Sequence, residues 1–213
     1  MINRFTDIIY NLVAVTIRTI LRLNGGFEVQ GKENLPSKGG VLVAANHISY
    51  LDPPLVGSLL PRRTTFMARH GLFDIPVLGW MIKYAAFPVD RERTRPSTIK
   101  ETVKRLKGGE LIALFPEGRR SDSGELMDAK RGVGMIVSLS KVPVVPVLII
   151  GSDKALPVNA KWLKRAKVTL VIGKPMYYTS FKEGKDYSGH ELHERISTLV
   201  MKEIKEMQAR YEN

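Results

Sequence analysis

The chain has no cysteine among its 213 residues, which excludes disulfides, a thiolate nucleophile and cysteine-ligated zinc and fits a reducing, cytosolic setting. It is also short of acid. Against 33 Lys and Arg there are only 21 Asp and Glu, a net charge of +12 that favours anionic partners: nucleic acid, acidic lipid headgroups, phosphorylated metabolites or an acidic carrier protein. Aromatic residues make up 8% and do not interleave with a basic stripe. With no zinc-finger, RNP-type or basic-zipper pattern either, nucleic acid is set aside as a partner. Long hydrophobic runs are missing as well. The apolar stretch Ile8 to Ile17 is ten residues long, where a bilayer-spanning helix needs about 20. Asp7 and the lack of an A-x-A-like site argue against a cleavable signal peptide. There is no repeat period and no linker-like tract, and 44% of the residues are hydrophobic. A single domain over residues 25–213 follows, preceded by a helical segment over 1–24.

In that first segment Ile9, Leu12, Val13, Ile17, Ile20 and Leu21 recur at spacings of three and four, which predicts a helix with a broad apolar face and basic ends. Two readings fit it: a helix that packs on the core, or one lying in a membrane interface. Beyond it, β-rich runs occur at Phe27 to Gln30, Val41 to Ala45, Thr64 to Ala68, Ala86 to Val89, Leu111 to Phe115, Val144 to Ile150 and Val168 to Ile172. Helical patterns lie between and after them, at about 53–60, 76–84, 97–107, 130–140 and 189–210. This alternation predicts an α/β domain with a mixed, largely parallel sheet of about seven strands flanked by helices. Thr98 with Glu101 has capping-box spacing, and Gly108 suits a C-cap.

Ligands in such sheets gather outside the carboxyl ends of strands. Three segments there carry polar chemistry: "NHISYLD" (Asn46 to Asp52), "DRER" (Asp90 to Arg93) and "FPEGRRS" (Phe115 to Ser121). Asp52 before Pro53 has the form of a helix N-cap. It also suits a second role, holding one ring nitrogen of His47 so that the other serves as a general base. With no cysteine and no G-x-S-x-G elbow, the proton would come from a bound substrate alcohol, and Ser49 reads as a turn hydroxyl. "FPEG" reads as a turn with Pro116 at its second position and Gly118 at its fourth. The adjacent Arg119 and Arg120 suit a phosphate, as do Arg91 and Arg93, although solvated surface charge fits each arginine taken singly. His190 and His193 read as a solvated helix face.

The spacing from His47 to Asp52 resembles the H-x4-D motif of the glycerolipid acyltransferases, best known from the 1-acyl-sn-glycerol-3-phosphate acyltransferases. "FPVDRER", "FPEGRRS" and "VPVVPVLI" (Val142 to Ile149) resemble their second, third and fourth blocks in order. The resemblance runs from about Phe27 to Tyr177. It implies transfer of an acyl group from acyl-CoA or acyl carrier protein to the 2-hydroxyl of lysophosphatidic acid. His47 would be the base and Asp52 its orienting partner, with acceptor phosphate bound by Arg91, Glu117, Gly118 and Arg120. It implies no cofactor and no metal. Two departures stand out: Arg119 where the family usually has Thr, and Arg69, His70 and Gly71 where Lys and Glu are more common. The apolar residues that follow, including Leu72, Phe73 and Trp80, suit an acyl channel or core packing.

A lipid acceptor favours the interfacial reading of the first helix, with Arg18, Arg22, Arg62 and Arg63 against an anionic membrane surface. The expected location is the cytoplasmic face of the cell membrane, as a peripheral or monotopic protein. Other acceptors within the same chemistry are another lysophospholipid, lyso-ornithine lipid or glycerol 3-phosphate. A non-catalytic lipid-binding protein and a thioester hydrolase are the competing classes.

Overall fold

The structure is a computed structural model that describes residues 4–76, 78–89, 96–121, 123–158, 160–184 and 186–212. Its strands are β1 (Phe27–Gln30), β2 (Val41–Ala45), β3 (Thr64–Arg69), β4 (Ala86–Val89), β5 (Leu111–Leu114), β6 (Val144–Ile150) and β7 (Val168–Ile172). The helices are α1 (Arg4–Leu23), α2 (Asp52–Leu59), α3 (Leu78–Ile82), α4 (Pro96–Lys107), α5 (Gly132–Ser140), α6 (Ser152–Ala155), α7 (Tyr178–Lys182) and α8 (Gly189–Glu212).

The strands form one sheet in the order β1-β7-β6-β2-β5-β3-β4. Every pairing is parallel except β6 with β7, so the sheet is mixed and largely parallel, as the sequence pattern predicts. The central β2 is buried at all five positions, which is why it reads as an unbroken apolar run. Its pleat sends Val41, Val43 and Ala45 into one core with α2 residues Leu55, Val56 and Leu59 and with Leu21 of α1. Leu42 and Ala44 point the other way, into a core with Ile99 and Leu106 of α4, Val133, Ile136 and Val137 of α5, and Leu192, Ile196 and Val200 of α8. Helix α5 approaches α8 so closely that a Cβ on Gly134 would lie 1.8 Å from the His193 carbonyl oxygen, and only glycine fits there.

Two local expectations give way to tertiary structure. Helix α4 already starts at Pro96, so Thr98 lies inside it. The Thr98 carbonyl accepts the Thr102 hydroxyl, and Glu101 pairs with Arg105, so the predicted capping box does not form. Asp52 is likewise not the cap of α2 but its first helical residue, after Leu51 at the cap position.

Helix α1 packs on the body of the protein along one side only. One side packs on α2: the Tyr10 hydroxyl donates to the Gly57 carbonyl at 2.6 Å and Arg18 Nε to the Ser58 carbonyl. Phe5, Ile8, Leu12, Val15 and Leu23 remain exposed on the other. Of the apolar residues predicted for one broad face, Leu12 and Ile20 are exposed, while Ile9, Val13, Ile17 and Leu21 are partly or fully buried. Three of the arginines assigned to a membrane surface are otherwise engaged. Arg18 is bound as described, Arg62 donates to the carbonyls of Pro36, Gly39 and Gly109, and Arg63 bonds Asp7 and the Tyr84 carbonyl. Arg22 is exposed, with its guanidinium over the Phe27 ring. Among the described residues, no helix is long and apolar enough to cross a membrane.

Candidate active site

Strands β2 and β5 are neighbours in parallel register, with Ala44 opposite Leu114. Their carboxyl ends therefore deliver "NHISYLD" and "FPEGRRS" side by side. Asn46 fixes the exit from β2: its Oδ1 accepts the Ile149 N–H at 2.7 Å and its Nδ2 donates to the Ile149 carbonyl at 3.0 Å. A side-chain amide thus continues the β2–β6 ladder for one more step, and the chain is free to turn at His47.

His47 is then held on every side that the fold can reach. Its N–H donates to Glu117 Oε1 at 2.8 Å, and its carbonyl accepts the Ser121 N–H at 2.8 Å. The ring stacks on Phe115 with centroids 4.1 Å apart and planes 20° from parallel. Nδ1 lies 2.8 Å from Asp52 Oδ2, and Asp52 is fully buried. Among the described residues, Nε2 makes no hydrogen bond. The anchoring of one ring nitrogen by Asp52 is as the sequence spacing predicts.

The Asp52 carboxylate is folded back over the loop that precedes its helix. Oδ2 also accepts the N–H groups of Ile48 and Ser49, each at 2.7 Å. The sequence spacing permits this because the backbone from His47 to Asp52 makes a single tight turn, closed by the Asp52 N–H to the Ser49 carbonyl. Ser49 is the turn hydroxyl it was read as, donating to the Leu156 carbonyl at 3.1 Å.

The third block closes the site from below. The Gly118 N–H donates to the Phe115 carbonyl at 3.0 Å, giving the predicted turn, and Gly118 takes φ 72°, a left-handed conformation that suits glycine. Glu117 is turned inward rather than toward solvent. While Oε1 holds the His47 N–H, Oε2 accepts the Met127 N–H at 3.1 Å, so the carboxylate ties Met127 to the His47 turn. Burial pushes the Glu117 carboxyl above its usual range, against the two backbone donors, which favour the charged form. Arg120 is half-buried with its guanidinium 4.1 Å from the centroid of the Tyr50 ring, which brings a cation to the loop that carries His47. Arg119 is exposed.

Lys130, which sequence reasoning missed, adds a second cation. Its backbone N–H donates to the Pro116 carbonyl at 2.8 Å, and its side chain lies along the Gly118 turn: a Cβ on Gly118 would sit 2.7 Å from Lys130 Cδ and 3.0 Å from Nζ. No spacing rule ties it to "FPEGRRS", because the intervening loop sets its position. Asn46 and Phe115 were also missed, although each borders a motif and follows a buried strand.

Arg91 and Arg93 lie outside the described residues. Leu72 and Phe73 are half-buried, and Trp80 is exposed, edge-on to Tyr84 at 5.5 Å between centroids. His190 is exposed, and its Nε2 lies 2.6 Å from Arg131 Nη1. Among the described residues, no group of three His, Asp or Glu could hold a metal.

Residues 26–150 match the family model described as Acyltransferase. The chain is 36% identical over 201 residues to a 1-acyl-sn-glycerol-3-phosphate acyltransferase of Bacillus subtilis, covering 91% of this chain and 98% of that protein. It is 28% identical over 192 residues to the protein of the same name from Streptococcus pneumoniae, covering 88% of this chain and 69% of that one. Among solved structures, the 1-acyl-sn-glycerophosphate (LPA) acyltransferase PlsC from Thermotoga maritima superposes with a TM-score of 0.75 at 28% identity. That match covers 96% of this chain and 80% of the other.

Proposed function

Because this chain belongs to the acyltransferase family, we propose that it transfers an acyl group from an acyl-CoA or acyl carrier protein thioester to the 2-hydroxyl of 1-acyl-sn-glycerol 3-phosphate, forming phosphatidic acid. The observation that carries the reading is the buried 2.8 Å contact between His47 Nδ1 and Asp52 Oδ2. With Nδ1 protonated and held by Asp52, Nε2 accepts the proton of the acceptor hydroxyl as its oxygen attacks the thioester carbonyl. The tetrahedral intermediate collapses with cleavage of the C–S bond. The imidazolium returns its proton to the departing thiolate, so the base is regenerated and no external acid is consumed.

Arg120 and Lys130 supply positive charge at the Gly118 turn, a suitable place for the acceptor phosphate, and Arg91 is proposed to join them. Gly118 contributes its turn geometry, and Glu117 contributes by holding His47. Leu72, Phe73 and Trp80 are proposed to border the acyl chain. The exposed apolar stripe of α1 supports a peripheral or monotopic seat on the cytoplasmic face of an anionic membrane. No cofactor takes part in this scheme.

The test is thiol release from palmitoyl-CoA in mixed micelles, with and without lysophosphatidic acid, by wild type and His47→Ala. Release that needs both the acceptor and His47, with phosphatidic acid as product, supports the reading. Release without acceptor, accompanied by free fatty acid, would replace it with a hydrolase. Release only with glycerol 3-phosphate or another lyso-lipid would reassign the acceptor.

A further inference from the structure

We propose that the loop over residues 160–166, between α6 and β7, is a second membrane contact, which with α1 fixes how the catalytic turn faces an anionic bilayer. The proposal rests on the reading of the acceptor as a lipid. Its first support is Trp162, which is 84% exposed, more than any other large hydrophobic side chain among the described residues. Tryptophan left this bare on a folded surface is unusual, and its apolar body with a single N–H donor suits a headgroup layer. Leu163 beside it is also exposed.

Charge supplies the second support. Lys161, Lys164 and Arg165 surround the pair and are all exposed, and there is no acidic residue from Leu156 to Lys167. An apolar wedge ringed by cations is complementary to anionic lipid, whose surface potential draws each basic residue and whose boundary accepts the ring.

The third support is where the loop is tied. Asn24, just after α1, donates through Nδ2 to the Lys164 carbonyl at 2.8 Å, and its own carbonyl accepts the Ala166 N–H at 2.9 Å. The Lys164 N–H donates to the Ala155 carbonyl at 2.8 Å. Leu156, which precedes the loop and follows α6, meets the His47 turn, where its carbonyl accepts the Ser49 hydroxyl. The loop is therefore a fixed projection between α1 and "NHISYLD". The outer stripe of α1 alone would leave the protein free to roll about the helix axis, whereas a contact off that axis stops the roll.

The chain has two tryptophans, Trp80 and Trp162, so Trp80→Phe leaves Trp162 as the only indole reporter. With vesicles of phosphatidylglycerol and phosphatidylcholine, its emission should shift to the blue and be quenched by brominated acyl chains, and pure phosphatidylcholine should give a much smaller effect. A Trp162→Ala, Leu163→Ala double variant should partition about tenfold less onto the anionic vesicles. It should keep its rate on a monomeric short-chain acceptor. Vesicle binding with unchanged Trp162 emission would overturn the proposal, because α1 alone would then hold the protein. A blue shift without lipid that grows with protein concentration would overturn it in favour of a second copy of the chain. These readouts do not depend on turnover, so failure of the acyltransferase reading would appear separately, as absent thiol release with binding intact.

Discussion

Glu117 and His47 stand 70 residues apart in the chain, yet the Glu117 carboxylate accepts the backbone N–H of His47 at 2.8 Å. The residue that holds His47 thus comes from the neighbouring strand end, and it binds the backbone of His47 rather than its ring. Glu117→Ala should lower kcat more than it changes the KM for the acceptor, and should cost about 1–3 kcal/mol of stability, chiefly by orphaning the buried His47 N–H. Steady-state kinetics with denaturant titration separates the two effects. An acceptor KM that rises alone would return Glu117 to the phosphate.

The same carboxyl gives a pH signature. Its folded pKa is raised, so the folded state holds the proton more tightly than the unfolded chain does. Its contribution to stability is therefore greatest below the ordinary glutamate range and declines as pH rises from there through the folded value. Glu117→Gln lacks this decline. The stability difference, wild type minus variant, should fall with rising pH across that window in denaturation midpoints. A difference independent of pH would show that burial does not govern this group.

Asp52→Asn should leave the fold largely intact, since an amide oxygen can still accept the N–H groups of Ile48 and Ser49. That oxygen also meets His47 Nδ1, so the ring stays in place but loses the carboxylate charge that would stabilise an imidazolium, and kcat should fall roughly 10²–10⁴-fold. His47→Ala should fall at least as far, and the double variant hardly further. Additive losses would mean that the pair does not work as a unit.

Arg120→Ala should raise the KM for a phosphorylated acceptor about tenfold with a smaller change in kcat, and Lys130→Ala should do the same more weakly. Neither should discriminate against an acceptor analogue that lacks the phosphate. A raised KM for the thioester in their place would assign this charge to the acyl donor.

Removing residues 1–24 is a poor test of membrane attachment, because Tyr10, Arg18 and Leu21 secure α1 to the body of the protein. Replacing the exposed Phe5, Ile8 and Leu12 with serine is the better one. Flotation with anionic vesicles should drop sharply while Tm stays within a few degrees. Unchanged flotation would show that the α1 stripe is not the contact.

Much of the fold was legible because its signal is local. The seven strands are mostly apolar or β-branched runs, and each was placed within one residue at either end. The His47–Asp52 pair was legible for the same reason: both ends lie in one turn. What escaped depends on distance in the chain. Arg62 and Arg63 look like surface charge in sequence, yet their guanidiniums hold backbone carbonyls and a carboxylate up to 56 residues away. Asp52 looked like a cap because caps are read from the following helix, whereas its oxygen faces the preceding loop. Lys130 depends on the path of a loop that no periodicity describes.

The two-sided packing of α1 has a geometric consequence. Its inner side is bound to α2, at whose first turn Asp52 begins, and its outer side is bare. The helix is thus a spacer about 10 Å thick between α2 and whatever lies beyond it. Resting on lipid, such a spacer would hold the ester-forming step near the depth of the polar headgroups rather than among the acyl tails. On the proposed activity, the product's second chain would re-enter the leaflet beside the first, so neither the lipid acceptor nor the lipid product would have to leave the membrane whole.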